Sequence, residues 1–254
     1  MTVVQAPTSW QRVDFISDVH LDANAPATFE AWQRYMANTP ADAVFILGDL
    51  FEVWVGDDTT DAFALSCADV LERTSQRLSV YFLCGNRDFL VGPQLHNATG
   101  MHGMSDPTVL ELGQQRLLLT HGDSLCLDDV DYLQFRQQVR QASWQEAFLA
   151  KPLSERQHIA RGLRAQSEAR KQTTTDYADV DAQAATDWLR QTQCQKLIHG
   201  HTHKPATHEL GSGLSRWCLS DWHAEGPSTR LEVLSWLRDQ DNSPTQGLCR
   251  SSLL

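Results

Sequence analysis

No apolar run in this 254-residue chain approaches the ~20 residues that a membrane-spanning helix needs, although hydrophobic residues make up 41% of it. A spanning segment is therefore not expected. The stretch from Met1 to Arg12 also lacks the basic start and apolar stretch of a secretory signal, so a cytoplasmic location is expected. Cysteines Cys67, Cys84, Cys126, Cys194, Cys218 and Cys249 are scattered with no C-x-x-C pair, which excludes a zinc knuckle and a dithiol redox motif. Several fall at or beside apolar runs, where cysteine serves as a small hydrophobe, and reduced thiols are expected. Basic residues are scarce: 21 Lys and Arg stand against 32 Asp and Glu, a net charge of -11. General affinity for nucleic acid, which rests on clustered positive charge, is not expected. Internal repeats and low-complexity segments are missing too.

The scarcity of positive charge has one exception. From Arg136 to Lys171 there are eight basic residues (Arg136, Arg140, Lys151, Arg156, Arg161, Arg164, Arg170, Lys171) against three acidic ones (Glu146, Glu155, Glu168), a local balance of +5. Such an asymmetry suits an anionic ligand or an anionic surface, while its bland reading is a solvated helix face.

Five short apolar runs punctuate the chain: Val13 to Ser17, Ala43 to Leu47, Val80 to Cys84, Arg116 to Thr120 and Gln195 to His199. Turn residues bound each of them, as for buried strands. Between the first two, Pro26 to Ala37 carries Phe29, Trp32, Tyr35 and Met36 at helical spacing, and Asp61 to Gln76 repeats this with Phe63, Leu65, Ala68 and Leu71. Strand and helix in alternation predict an α/β fold with a largely parallel sheet. Closing strands are expected at 215–219 and 229–236, joined through a Gly226-Pro227 turn. The stretch between the fourth and fifth strands is too long for one crossover helix. We read 128–194 as a helical insert, a lid, on a core of 1–127 and 195–240, with a frayed polar tail over 241–254. Within the insert, helices are expected around Tyr132, Phe135 and Val139, around Trp144, Phe148 and Leu149, and around Val180, Ala184, Trp188 and Leu189, with Pro152 ending the middle one.

Each apolar run ends in residues that favour metals: Asp18-Val-His20, Gly48-Asp49, Gly85-Asn86-Arg87-Asp88, His121-Gly122-Asp123 and Gly200-His201-Thr-His203. Open sheets gather their ligands at strand C-termini, so these clusters should converge in one crevice. A lone Asp or His at such a place is ordinarily a turn or helix cap, but five matches in one chain point to chemistry. Asp18, Asp49 and Asn86 offer oxygen, and His20, His121, His201 and His203 offer imidazole nitrogen. Seven ligands exceed the needs of one ion and suit two divalent ions about 3.5 to 4 Å apart, bridged by a carboxylate, for which Asp49 is the candidate. A mixed nitrogen and oxygen set without thiolate fits manganese, iron or zinc better than magnesium. The remaining histidines, among them His223 in Asp221-Trp222-His223, lack comparable context.

Together these motifs resemble the signature of calcineurin-like metallophosphoesterases. The resemblance implies a double β-sheet sandwich flanked by helices and a metal-bound hydroxide that attacks phosphorus in line with the leaving group. It further implies that Asp18, His20, Asp49 and His203 serve the first metal, and Asp49, Asn86, His121 and His201 the second. Many members carry a histidine, often assigned as the general acid, where this chain has Arg87. A guanidinium stays protonated and cannot donate a proton, but it can clamp a phosphate. Expelling a leaving group without an acid favours a stable anion, so a pyrophosphate linkage is expected over a simple diester, because a departing phosphate monoester has its second pKa at ~6.

Longer phrases sharpen the resemblance: Phe15-Ile-Ser-Asp-Val-His-Leu21, Leu47-Gly-Asp-Leu-Phe-Glu52, Gly85-Asn-Arg-Asp-Phe-Leu90, His121-Gly-Asp-Ser-Leu-Cys-x-Asp-Asp129 and His199-Gly-His-Thr-His-Lys-Pro205. They resemble the branch of the family that works in lipid A biosynthesis. That resemblance implies two Mn2+ ions and hydrolysis of UDP-2,3-diacylglucosamine to UMP and 2,3-diacylglucosamine 1-phosphate, on a lipid-linked UDP-sugar taken at the cytoplasmic face of the inner membrane, with peripheral attachment. It implies substrate contacts at Asn86, Arg87, Asp129 and His201, and at Ser167 within Arg164-Ala-Gln-Ser167. Beyond Ser167 the phrase departs from the family, and Lys171 and Thr174 are the nearest matches. Trp144, Phe148, Leu149, Leu153 and Leu163 are expected either to line a trough for acyl chains or to pack the insert. The competing readings are a soluble nucleotide or nucleotide-sugar pyrophosphatase with the same metals, and a scaffold without catalysis, against which all seven ligands argue.

Overall fold

The structure, a computed structural model, describes residues 1–173, 179–238 and 247–253, with the side chains of 165–173 outside that description. In chain order the elements are β1 (Thr2–Gln5), β2 (Arg12–Ile16), α1 (Pro26–Asn38), β3 (Ala43–Leu47), α2 (Ala62–Ser75), β4 (Ser79–Leu83), α3 (Pro93–Thr99), β5 (His102–Gly103), β6 (Thr108–Leu112) and β7 (Gln115–Leu119). There follow α4 (Val130–Val139), α5 (Ala142–Leu149), α6 (Leu153–Thr173), α7 (Ala182–Thr192), β8 (Lys196–His199), β9 (Ala206–Gly211), β10 (Leu214–Cys218), β11 (Glu232–Leu237) and β12 (Leu248–Ser252).

Strand alternation builds two layers from these pieces. On β2 and β3, Val13, Phe15, Ala43, Phe45 and Leu47 face one way, and they are buried with Leu110, Leu112, Leu117, Leu119 and Ile198 of a second sheet. Successive side chains in a strand point to opposite faces, so Ile16, Val44 and Ile46 turn the other way, onto Trp32, Met36 and Leu71 of α1 and α2. The result is a sandwich of two six-stranded sheets, ordered β12-β11-β2-β3-β4-β5 and β1-β6-β7-β8-β10-β9. The expected double sandwich flanked by helices is present. The prediction of one largely parallel sheet is corrected: β2 to β5 run parallel, but β11 and β12 add antiparallel strands, and the second sheet is mixed.

Other expectations shift for physical reasons. The two closing strands are no hairpin, since β10 lies in one sheet and β11 in the other. The tail is not frayed over 248–252, because β12 pairs with β11 and buries Leu248 between the sheets, while Arg250 reaches across to the carbonyls of Ala206 and Cys218. Residues 241–246 lie outside the described residues. On α2 the buried face is Cys67, Val70, Leu71 and Thr74, and Leu65 is exposed. Helix α7, read as part of the insert, covers the outer face of the second sheet, with Ala185 and Leu189 buried beside Val109, Leu118 and Leu197.

Helices α4 to α6 are fastened to the core through arginines. Arg156 of α6 is 1% exposed and donates to the carbonyls of Lys151 and Val55 and to the Asp58 carboxylate. Gly56, at φ +132, leaves room for it, because a Cβ there would collide with the guanidinium. Arg156→Met leaves the buried Val55 carbonyl unpaired and is expected to cost about 2 kcal/mol, a fall in Tm of roughly 4 to 8 °C for a domain of this size. A thermal melt checks it, and a change below 2 °C would show that the loop and helix hold without the arginine.

Candidate metal centre

All five strand-end clusters come together at one end of the sandwich. Strands β2, β3 and β4 deliver Asp18, Asp49 and Asn86 from one sheet, and β7 and β8 deliver His121 and His201 from the other. Backbone bonds continue past the strands and lock the loops side by side: Asp18 N–H donates to Gly48 C=O at 3.1 Å, His20 N–H to Asp49 C=O at 3.0 Å, and Gly200 N–H to His121 C=O at 2.9 Å. The turns are tight enough to force a left-handed backbone at Asp18 (φ 52), His20 (φ 51), Asp49 (φ 52), His201 (φ 68) and His203 (φ 53). Non-glycine residues rarely adopt this conformation, and such strain concentrates at functional sites. Gly48 (φ +86) is required where β3 meets β4, since a Cβ there would lie 2.6 Å from both the Gly85 Cα and His121 Nδ1.

The donor atoms form two groups. In the first, Nε2 of His20 and of His203 lie 3.2 Å apart, with Asp18 Oδ1 3.4 Å from His203 and 3.9 Å from His20. In the second, Asn86 Oδ1 is 2.9 Å from both His121 Nε2 and His201 Nδ1, and Asp49 Oδ1 is 3.7 Å from His121 Nε2. Two donors each about 2.1 Å from one ion sit about 3.0 to 3.4 Å apart, so both groups fit a divalent cation. Asp18, Asp49 and His121 also fall together, so Asp18 reaches both groups, alongside the expected bridge Asp49.

Electrostatics points the same way. Burial works against charge on His121, but Asp49, Asp18 and Asp123 outweigh it and push its pKa up to about 9. At His20, too, burial is overcome, by Glu52, Asp49 and Asp18, and the pKa rises. His201 shows the opposite balance, pushed down to about 4 by burial and by neighbouring His121. A buried cluster whose carboxylates draw protons onto histidines is short of positive charge, which divalent ions supply. The ring tautomers suit ligation as well. A proton on His121 Nδ1 donates to the Leu47 carbonyl at 2.9 Å and leaves Nε2 free for a metal.

Several residues matter here to which the motifs gave no role. The fully buried Asp88 accepts from the N–H groups of Gly85 (2.8 Å), Leu50 (2.8 Å), Asp49 (3.3 Å) and Phe51 (3.4 Å), tying the β3 and β4 loops together. Burial, helped by Asp49, raises its pKa to about 7. Asp221 Oδ2 lies 3.7 Å from His203 Nδ1 and also holds Arg230. His223, noted in the sequence, pairs its backbone with Arg230 in support of that loop. Tyr132 of α4 stacks on the His201 ring at 5.8 Å, and its hydroxyl donates to Asp123, which also accepts from Arg136 Nε at 2.8 Å.

A family model described as calcineurin-like phosphoesterase matches residues 11–205, spanning every ligand named above. The chain belongs to the calcineurin-like phosphoesterase family. Among curated members it is similar to UDP-2,3-diacylglucosamine hydrolase of Chromobacterium violaceum, with 44% identity over 83% of this chain and 90% of that one. Proteins of the same name from Aromatoleum aromaticum (42%; 86% and 92% covered) and Stenotrophomonas maltophilia (39%; 89% and 96% covered) are similar too. Among solved structures, Yfce, a phosphoesterase from E. coli, aligns at TM-score 0.45 and 15% identity, covering 96% of this chain and 100% of that one.

The remaining site residues of this phosphoesterase are distributed as follows. Arg87 stands beside the second group, its backbone N–H on Asp49 Oδ1 at 2.8 Å and its guanidinium 3.2 Å from Glu52. Asp129 is exposed and caps α4 through the Tyr132 N–H at 3.1 Å. Ser167 and Lys171 lie on α6, and Thr174 falls outside the described residues. The basic excess of the insert is largely spent inward: Arg136 holds Asp123, Arg140 donates to the Gly85 carbonyl at 2.7 Å, Arg156 holds Asp58, and Arg164 meets Glu52 and Asp22. Of the apolar set, Phe148 is buried, Trp144 and Leu153 pack on the core, and Leu149 and Leu163 remain exposed.

Proposed function

We propose that this phosphoesterase hydrolyses the pyrophosphate bond of UDP-2,3-diacylglucosamine, giving UMP and 2,3-diacylglucosamine 1-phosphate. The observation that carries the reading is Arg87, which stands against a metal-ligand cluster of the kind that hydrolyses phosphate bonds, in a chain 39 to 44% identical to proteins named UDP-2,3-diacylglucosamine hydrolase. Asp18, His20, Asp49 and His203 would hold one ion and Asp49, Asn86, His121 and His201 the other. Manganese is the proposed metal, with iron and zinc compatible with the same donors. When bound, the ions activate water at neutral pH and neutralise charge on the phosphoryl oxygens.

In the reaction, water oxygen adds to one phosphorus, the bridging P–O bond breaks, its electron pair leaves on the second phosphate, and the two protons of the water pass to the product phosphates and solvent. Arg87 binds and orients the phosphates and needs to deliver no proton, because the departing monoester, with its second pKa at ~6, is already a stable anion. Asn86 and His201 border the same position. Asp129, Ser167, Lys171 and Thr174 are proposed contacts from the insert, whose lid portion we assign to α4 through α6. The exposed side chains of Leu127, Val130, Leu149 and Leu163 are the proposed contacts for acyl chains and for peripheral attachment to the cytoplasmic face of the inner membrane. No helix among the described residues is long and apolar enough to cross it.

The test is mass spectrometry of products from manganese-loaded protein with UDP-2,3-diacylglucosamine, and with UDP-glucose and ADP-ribose as controls. UMP and lipid phosphate from the first alone are expected. Turnover of the soluble controls with none of the lipid would replace the substrate by a soluble nucleotide sugar and keep the metal chemistry.

A further inference from the structure

Three residues past Asp49, Glu52 directs its two carboxylate oxygens to different tasks. Oε2 lies 3.1 Å from Nδ1 of His20, whose Nε2 belongs to the first donor group. Oε1 lies 3.2 Å from the Arg87 guanidinium and 3.2 Å from Nε of Arg164 on α6. The side chain is only 14% exposed, and its backbone N–H is fixed on the Leu21 carbonyl at 3.1 Å. Its partners come from the β2 loop, the β4 loop and the insert, three parts of the chain that meet at this carboxylate.

Two physical arguments give that meeting a purpose. A histidine that ligates through Nε2 works best when its Nδ1–H is held by an anion, which fixes the tautomer and strengthens the ligand. Two guanidiniums brought to one point repel each other unless an anion lies between them, and Glu52 Oε1 is that anion. Asp22 steadies Arg164 from the other side at 3.4 Å. Resting on the function proposed above, we propose that Glu52 is a positioning residue: through one oxygen it aims His20 at the metal, and through the other it aligns Arg87 and Arg164 as a paired clamp for the substrate's phosphates.

The test is Glu52→Gln, nearly equal in shape, with Arg164→Ala beside it. In Glu52→Gln the affinity for one of two Mn2+ ions, measured by electron paramagnetic resonance without substrate, is expected to fall about 10- to 100-fold. At saturating Mn2+ its KM for UDP-2,3-diacylglucosamine should rise about 10-fold, the scale of one lost charge-assisted contact, with a smaller change in kcat. Arg164→Ala should raise KM similarly and leave Mn2+ affinity at the wild-type value. Unchanged Mn2+ affinity in Glu52→Gln would overturn the hold on His20, and wild-type KM in both variants would overturn the clamp. A wild-type protein that binds Mn2+ but leaves the lipid intact would instead sink the substrate reading, and the Mn2+ titration would still decide the role of Glu52 toward His20.

Discussion

Asp49→Ala is expected to strip metal and turnover together. The Asp49 carboxylate lies 3.7 Å from His121 Nε2, within the group shared with Asp18, and takes the Arg87 N–H on Oδ1. Losing it removes the proposed bridge and frees the loop that carries Arg87. The ions supply several kcal/mol of transition-state stabilisation, so their loss costs on the order of 10³-fold or more in rate. Asp49→Asn separates the two effects, because asparagine tolerates the left-handed backbone and still offers an acceptor to Arg87. It should lose metal while still folding cooperatively, since the amide keeps the contact to the Arg87 N–H and the loss of a charge that bears on buried Asp88 offsets the loss of its pairing with His121. Elemental analysis and thermal melts check this, and a variant that retains both ions would refute the bridging role.

Arg87→Ala should have the complementary signature. Its guanidinium pairs with Glu52, which is not among the proposed ligands, so metal content is expected to stay at the wild-type value. The ratio kcat/KM should fall about 10²- to 10³-fold, because a guanidinium that clamps the bound phosphates also stays on them in the transition state. Arg87→Lys should recover little of it, because an ammonium cannot reproduce a planar fork of donors. Steady-state kinetics with metal analysis on the same samples decides the matter. Normal turnover in Arg87→Ala would remove this residue from the reaction.

The strand-end clusters were legible because each follows a fully apolar run, and parallel strands must deliver their C-termini to one edge. Strands β1, β5, β6, β9 and β12 were not read, and four of these explain themselves. β1, β5, β9 and β12 lie at sheet edges, where one partner suffices and the apolar signal thins. Helix α6 was missed for a related reason: in Leu153–Thr173 the large apolar residues are only Leu153, Ile159 and Leu163, a thin stripe among arginines, glutamines and glutamates. In the centre, the ligand types could be read from spacing, but the groups that hold them could not. Glu52 is 32 positions from His20 and 112 from Arg164, and nothing local in the sequence announces such pairings. The charge asymmetry of the insert was visible, but its use was not, since Arg136, Arg140, Arg156 and Arg164 each find their partner in a different core loop.

The left-handed backbone at Asp18, His20, Asp49, His201 and His203 has a consequence for how this protein responds to change. Each of these positions would be more comfortable as glycine, and the metal-free cluster of buried carboxylates would be calmer with one fewer charge. Without metal, heat resistance and hydrolysis therefore pull in opposite directions at the same five codons. Bound ions reverse that pull, because they hold only the folded chain, so metal supply sets whether the centre weakens or braces the sandwich.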